Sequence, residues 1–200
     1  MRVLPLVFVA LAGCGGGGGN IANLPLRWQG VDDLPRASAE VARAFVAVPI
    51  SFGLRDLRPD PTAVGRYEDN GFVVRTSDNV GQYCTDRMGD ILVHAGARLN
   101  QGTPAAGVEA ELLSYEVVEG GRFNGKVEIR AIVRRGAAAP WTRTYTGTST
   151  RWGRTHSPEN FNEGLSNSLT DAVAQLLHDA DFARALGDPG SPPPAGASGI

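Results

Sequence analysis

Lysine is almost missing from this 200-residue chain: of its 19 basic residues only Lys126 is a lysine, and the rest are arginine. That bias, set among abundant alanine and glycine, reads as the product of a GC-rich coding sequence rather than as arginine chemistry. Cysteine occurs twice, at Cys14 and Cys84, too seldom for a disulfide framework. The three histidines, His94, His156 and His178, are far apart and form no HxxxH or CxxC ligand pair, so no metal site is expected. Ser166 lies in "GLSNS", which lacks the second glycine of a nucleophile elbow and falls within a predicted helix. The five-glycine run has no strand before it and no GK[ST] after it, which excludes a phosphate loop. A net charge of −2 makes no electrostatic demand for nucleic acid. No catalytic residue and no cofactor is therefore expected. Nothing after Cys14 has the ~20 apolar residues of a spanning helix.

What is present begins at the N-terminus, with "MRVLPLVFVALAGCGGGGGN". Arg2 followed by the apolar run Val3 to Ala12 has the layout of a secretory signal, and ten residues are too few to cross a bilayer. Leu11-Ala12-Gly13-Cys14 resembles the lipobox of bacterial lipoproteins. The resemblance implies a diacylglycerol thioether on Cys14, cleavage after Gly13 and acyl chains such as palmitate holding the mature protein to a membrane. Two or more chains anchor stably, at roughly 0.8 kcal/mol per buried methylene. Gly15, in place of an aspartate after Cys14, looks like a signal for the outer rather than the inner membrane. The division expected is a signal peptide over 1–13, a lipidated flexible tether over 14–40, one periplasmic domain over 41–187 and a disordered tail over 188–200.

Within the domain, Phe45, Val46, Val48 and Ile50 predict a strand over 44–52, ended by Gly53. Pro59, Pro61, Gly65 and Asp69-Asn70-Gly71 then mark a long surface loop, with "FVVRT" a second strand. Ser77 or Asp78 is placed to cap a helix whose apolar face carries Val80, Cys84, Met88, Ile91, Leu92, Ala95 and Leu99, ended by "NQGTPAAG". Three strands follow with short connections. In the middle one Val127, Ile129, Ala131 and Val133 share a face opposite Lys126, Glu128, Arg130 and Arg134. Ser157 and Pro158 open a final helix with a stripe from Phe161 to Ala180, running on to Leu186 and stopped by Gly187. The predicted order is β-β-α-β-β-β-α, an α+β domain with about five antiparallel strands and two amphipathic helices on one face.

The remaining candidates are polar clusters. Asp56, Asp60, Glu68 and Asp69 share one loop with Arg55, Arg58 and Arg66, which reads either as solvated mixed charge or as a binding site. Thr142, Thr144, Thr146, Thr148 and Thr150 form a ladder suited to an exposed sheet face, or to a polar binding surface. Asp90 and His94 share a helix face at four-residue spacing, an ion pair rather than a catalytic dyad. His156, at the entry to the last helix, is the other candidate for titration near a site.

Two stretches carry a family resemblance. "SNSLTDAVAQLLHDADFARAL" resembles the terminal helix of the YajG-type bacterial lipoproteins, and "RDLRPDPTAVGRY", following Val48-Pro49-Ile50, is similar to the early loop of that family. The resemblance covers roughly residues 44–186. It implies a lipid-anchored α+β domain on the periplasmic side of the envelope, and it supplies no catalytic residues. The function expected is a non-enzymatic lipoprotein that binds or supports a protein partner in the cell envelope. An auxiliary lipoprotein of an envelope ABC transport system is the alternative within the binding class, and an envelope hydrolase the alternative from another class.

Overall fold

A computed structural model of the chain describes residues 20–153 and 156–187; the expected signal peptide, Cys14 and the expected tail from 188 lie outside them. The elements are α1 (Ala39–Ala47), β1 (Ile50–Asp56), β2 (Ala63–Tyr67), β3 (Val73–Arg75), α2 (Val80–His94), β4 (Ala106–Glu119), β5 (Phe123–Arg134), β6 (Trp141–Arg151), α3 (Pro158–Leu177) and α4 (Ala180–Leu186). The α+β class is as expected, and the described residues form six strands in one sheet and four helices.

The first element corrects the sequence reading. Phe45 and Val46 lie on a helix, not a strand, and Val48 is its C-cap. Ser38 caps the start by accepting the Val41 N–H at 3.3 Å, and Val41, Ala44, Phe45 and Val48 are buried at helical spacing. Pro49 disfavours helical backbone at Val48, which is extended, so the strand starts only at Ile50.

The expected loop over 55–70 contains a second correction, because Ala63–Tyr67 is strand β2. The β3-β2-β4-β5-β6 sheet has β4 at its centre, and both β1 and β2 pair with the same edge of β4. Strand β1 runs parallel to 106–112 and β2 parallel to 117–119, while β4, β5 and β6 form an antiparallel meander. The register of β4 shifts between Leu112 and Ser114. This bulge changes the inward set from Ala106, Val108, Ala110 and Leu112 to Tyr115, Val117 and Glu119, and it leaves a notch between β1 and β2.

Helix α2 is capped by Asn79, which accepts from the Gln82 N–H at 3.0 Å, rather than by Ser77 or Asp78. Its buried face is the expected one through Val80, Cys84, Met88, Ile91 and Leu92, but the helix stops at His94, so Ala95 is its C-cap and Leu99 lies beyond it. Ser157 caps α3 as predicted, and Pro158 fills its first turn. The predicted single last helix is two, because Asp179 caps a new helix by accepting from the Asp181 N–H at 2.8 Å. Gly187 ends α4 in the left-handed conformation, φ +91°.

Helix α3 lies unusually close to β5 and β6. A Cβ on Gly147 would sit 2.0 Å from the Ser168 carbonyl oxygen, and one on Gly125 would sit 2.5 Å from that of Gly164. Ser149 and Ser168 close the seam, 2.9 Å apart, each also donating to the Gly164 carbonyl at 2.8 Å. Among the described residues no helix lies against the sheet's other face. There Glu111, 7% exposed, bridges Arg55 at 2.8 Å and the Arg130 Nε at 2.6 Å, and the threonines of β6 face outward.

Candidate functional site

Cys14, the one modification site the sequence singles out, lies outside the described residues, which begin at Asn20. The expected tether through residue 40 is corrected here, because residues 20–30 pack as a strap over the helical layer. Leu24 and Leu26 are buried. Several backbone groups of the strap have a partner on the domain. The Ile21 N–H donates to the Tyr67 hydroxyl at 3.1 Å, Leu24 to the Arg75 carbonyl at 2.7 Å, and Leu26 to the Asp78 carboxylate at 2.7 Å. Asn162 accepts from the Arg27 N–H at 2.9 Å and donates to the Pro25 carbonyl at 3.0 Å. Ser166 accepts from the Gln29 N–H at 3.2 Å. Ser166 is thus fully buried and committed to the strap, with no histidine bonded to it. Beside it, burial pushes the Tyr83 phenol up to about 12.

Strand register places the start of the strap at one end of the sheet. Tyr67 pairs with Glu119, and Glu119 with Phe123, so Ile21 lies at the end formed by the β4–β5 and β2–β3 turns and the exit of β6. Beneath those turns Tyr67 packs edge-on against Phe161 with ring centres 5.5 Å apart, and Phe161 against Phe123 at 5.2 Å. The ring of His156 lies 4.6 Å from Tyr67, and its Nε2 is 3.6 Å from a Glu119 carboxylate oxygen. At the rim Trp152 is 71% exposed, with the Arg122 guanidinium 3.7 Å above its ring, and Phe72 is also exposed.

The charged loop resolves into two internal ties. Arg58, only 5% exposed, grips Asp56 through Nε at 2.9 Å and a second nitrogen at 2.7 Å, and donates to the carbonyls of Ala63 and Pro61 at 2.7 and 2.6 Å. Asp60 pairs with Arg75 at 2.5 Å and accepts from the Thr62 hydroxyl and N–H at 2.7 and 3.0 Å. Those hydrogen bonds, from Thr62 first and Arg75 next, hold its carboxyl well below the usual carboxylate range. The charges pin the corner between β1 and β2 beside the β4 notch, a cleft of about 310 Å³ lined by Arg58, Arg66, Leu113, Tyr115 and Glu116 among others. Arg66, Glu68 and Asp69 remain on the surface.

The other candidates stay apart. His94 is exposed at the end of α2, and the Asp90 expected beside it pairs instead with Arg87 at 3.0 Å. His178 caps α3, its Nδ1 2.8 Å from the Ala174 carbonyl oxygen. Among the described residues no three His, Cys, Asp or Glu side chains converge as metal ligands, and no helix is long and apolar enough to cross a membrane. The threonine ladder lies on the edge strand β6, whose outer backbone groups are partly covered: Asp171 accepts from the Thr148 N–H at 2.9 Å, and Gln175 donates to the Thr146 carbonyl at 2.8 Å. The buried polar residues of α3 that hold the strap, Asn162 and Ser166, are missed by reading the helix for its apolar stripe. Their only trace is that they flank Leu165 on the inward side.

The chain matches no family model and no curated protein. Among solved structures it is similar to a Xanthomonas campestris protein of the DUF330 family, with 12% identity over 79% of this chain and 95% of that one and a TM-score of 0.49. PelC from Paraburkholderia phytofirmans, a dodecamer, is 15% identical over 76% of this chain and 93% of its own, with a TM-score of 0.42. A Caulobacter crescentus protein assigned as a lipoprotein is 14% identical over 64% of this chain and 92% of its own, with a TM-score of 0.38.

Proposed function

We propose that this chain is a non-enzymatic lipoprotein, acylated on Cys14, whose α+β domain works on the periplasmic side of the envelope and binds or supports an envelope protein. The observation that carries this reading is the ordered series of Arg2, the apolar run to Ala12, Gly13 and Cys14, six residues before a strap fixed to the domain. The likeness to YajG-type lipoproteins and the Gly15 that follows Cys14 support the same reading, with the outer membrane as the location. Commitment of Ser166 to the strap and the separation of the three histidines support a binding rather than a hydrolytic role.

The test is the intact mass of the mature protein purified from membranes of a bacterial host. The expected species starts at Cys14 and carries acyl chains, and Cys14→Ser leaves uncleaved precursor or unanchored protein, because only the thiol accepts the diacylglycerol. A wild-type protein with an unmodified Cys14 overturns the reading.

A further inference from the structure

The docked strap shortens the anchor. Between Cys14 and Asn20 there are six peptide steps, a reach of at most about 22 Å at full extension. Strand β5, with 12 residues, spans about 36 Å at 3.3 Å per residue, and Asn20 leaves from its Phe123 end. The Arg134 end therefore lies too far from Asn20 for the domain to stand on it at the bilayer. The end that is within reach carries Trp152 at the exit of β6, 71% exposed and stacked with Arg122, and exposed Phe72 in the β2–β3 turn. Tryptophan with a cationic neighbour is suited to the headgroup layer, where the ring meets the acyl boundary and the guanidinium stays hydrated.

Resting on the reading of Cys14 as the acylated residue, we infer that the turn end of the sheet, with Trp152, Arg122 and Phe72, sits on the lipid interface and holds the domain upright on the membrane. The contact is aromatic rather than electrostatic. Glu68 and Asp69 lie in the same β2–β3 turn and offset Arg122, so the patch has no basic excess to draw it to anionic lipid. The contact is thus indifferent to the anionic fraction of the bilayer and to salt.

The acylated full chain, reconstituted in phosphatidylcholine vesicles, tests this with brominated acyl chains as quencher. In a Trp28→Phe/Trp141→Phe double variant the remaining Trp152 emission should fall about two-fold on brominated lipid, as expected for a ring at the acyl boundary. The variant that keeps only Trp141, at the far end of β6, should not respond, nor should the one that keeps only Trp28, on the strap. The result should be the same with one quarter phosphatidylglycerol and in high salt. If any of the three double variants fails to fold, hydrogen exchange on the wild-type chain replaces it: vesicles should slow exchange at 119–123 relative to detergent micelles and leave 135–140 unchanged. A protein that floats with the vesicles while Trp152 stays unquenched overturns the orientation and leaves the anchor standing. Quenching of Trp28 instead shows a side-on pose and also overturns it. A lipid-free dimer that shields Trp152 assigns the patch to a second copy and overturns it too. A protein that fails to float and carries an unmodified Cys14 overturns the anchor, and this inference with it.

Discussion

Cys84 lies on the inward face of α2, fully buried and unpaired. Burial pushes its thiol well up, with Arg58 opposing and Asp56 adding to the shift. The low thiolate fraction and the closed access both slow its chemistry. Labelling by an aromatic disulfide reagent should therefore be about 100-fold slower or more in the folded chain than in urea, since the thiol reacts only through opening of the helix face. Equal rates would mean that α2 turns this position outward. The shift also sets a pH dependence. A thiol whose folded pKa is raised keeps its proton in the native state after the unfolded chain has lost it, so the unfolded state binds fewer protons above pH 9 and stability falls as pH rises. Tyr67, Tyr115 and Tyr145, all pushed up by burial, add to the same loss above pH 10. Urea midpoints should decline through that alkaline range, and Cys84→Ala should make the decline start later.

At the scale of elements, what was legible depended on whether local and tertiary signals agreed. The alternation of β5 and the stripe of α2 were readable because one period ran through each without interruption. Helix α1 was not, although Val41, Ala44, Phe45 and Val48 carry helical spacing, because the β-favouring residues around Val46 and Ile50 outweighed that signal over so short a stretch. Strand β2 was hidden by its own glycine. Gly65 reads as a loop residue, yet a Cβ there would lie 2.7 Å from the Val117 carbonyl oxygen and 2.8 Å from the Phe161 ring, so the strand needs glycine to pass beneath α3. The same close approach governs Gly147, where the nearest atoms belong to the backbone of α3 and have no rotamer by which to yield. Gly147→Ala should cost about 1–3 kcal/mol or more, the range of overpacked cores. Gly53, with nothing within 4 Å of its would-be Cβ, should tolerate the same change with little loss in urea denaturation. Similar midpoints for the two variants would show that α3 rides higher over β6 than its seam of Gly125, Gly147 and Ser168 implies.

Over the whole molecule, the decisive feature is that the described chain begins as a strap tied to β3 and to α3, so the segment before α1 is mechanically joined to the core. The glycine-rich composition around residues 15–30 concealed this, because Leu24 and Leu26 are two isolated apolar residues whose period is too short to register. Their partners, Asn162, Ser166 and Asp78, are some 50 to 140 positions away in sequence. The strap begins at the Tyr67 end, whereas α4 finishes at Gly187 beside Arg135, just past the opposite end of β5, so the two ends of the described chain lie near opposite ends of the sheet. Leu24→Ala separates a structural strap from a passive leash. Removing a fully buried leucine should destabilise the domain by about 2–5 kcal/mol. Asn162→Ala, which strands the Arg27 N–H and the Pro25 carbonyl, should cost about 1–3 kcal/mol. Val46→Ala, on the exposed face of α1, should fall within about 0.5 kcal/mol of the parent. Far-UV circular dichroism during urea titration reads all three. If Leu24→Ala and Asn162→Ala unfold at the same urea concentration as Val46→Ala, the strap contributes nothing to the fold, and the segment before α1 is a free tether.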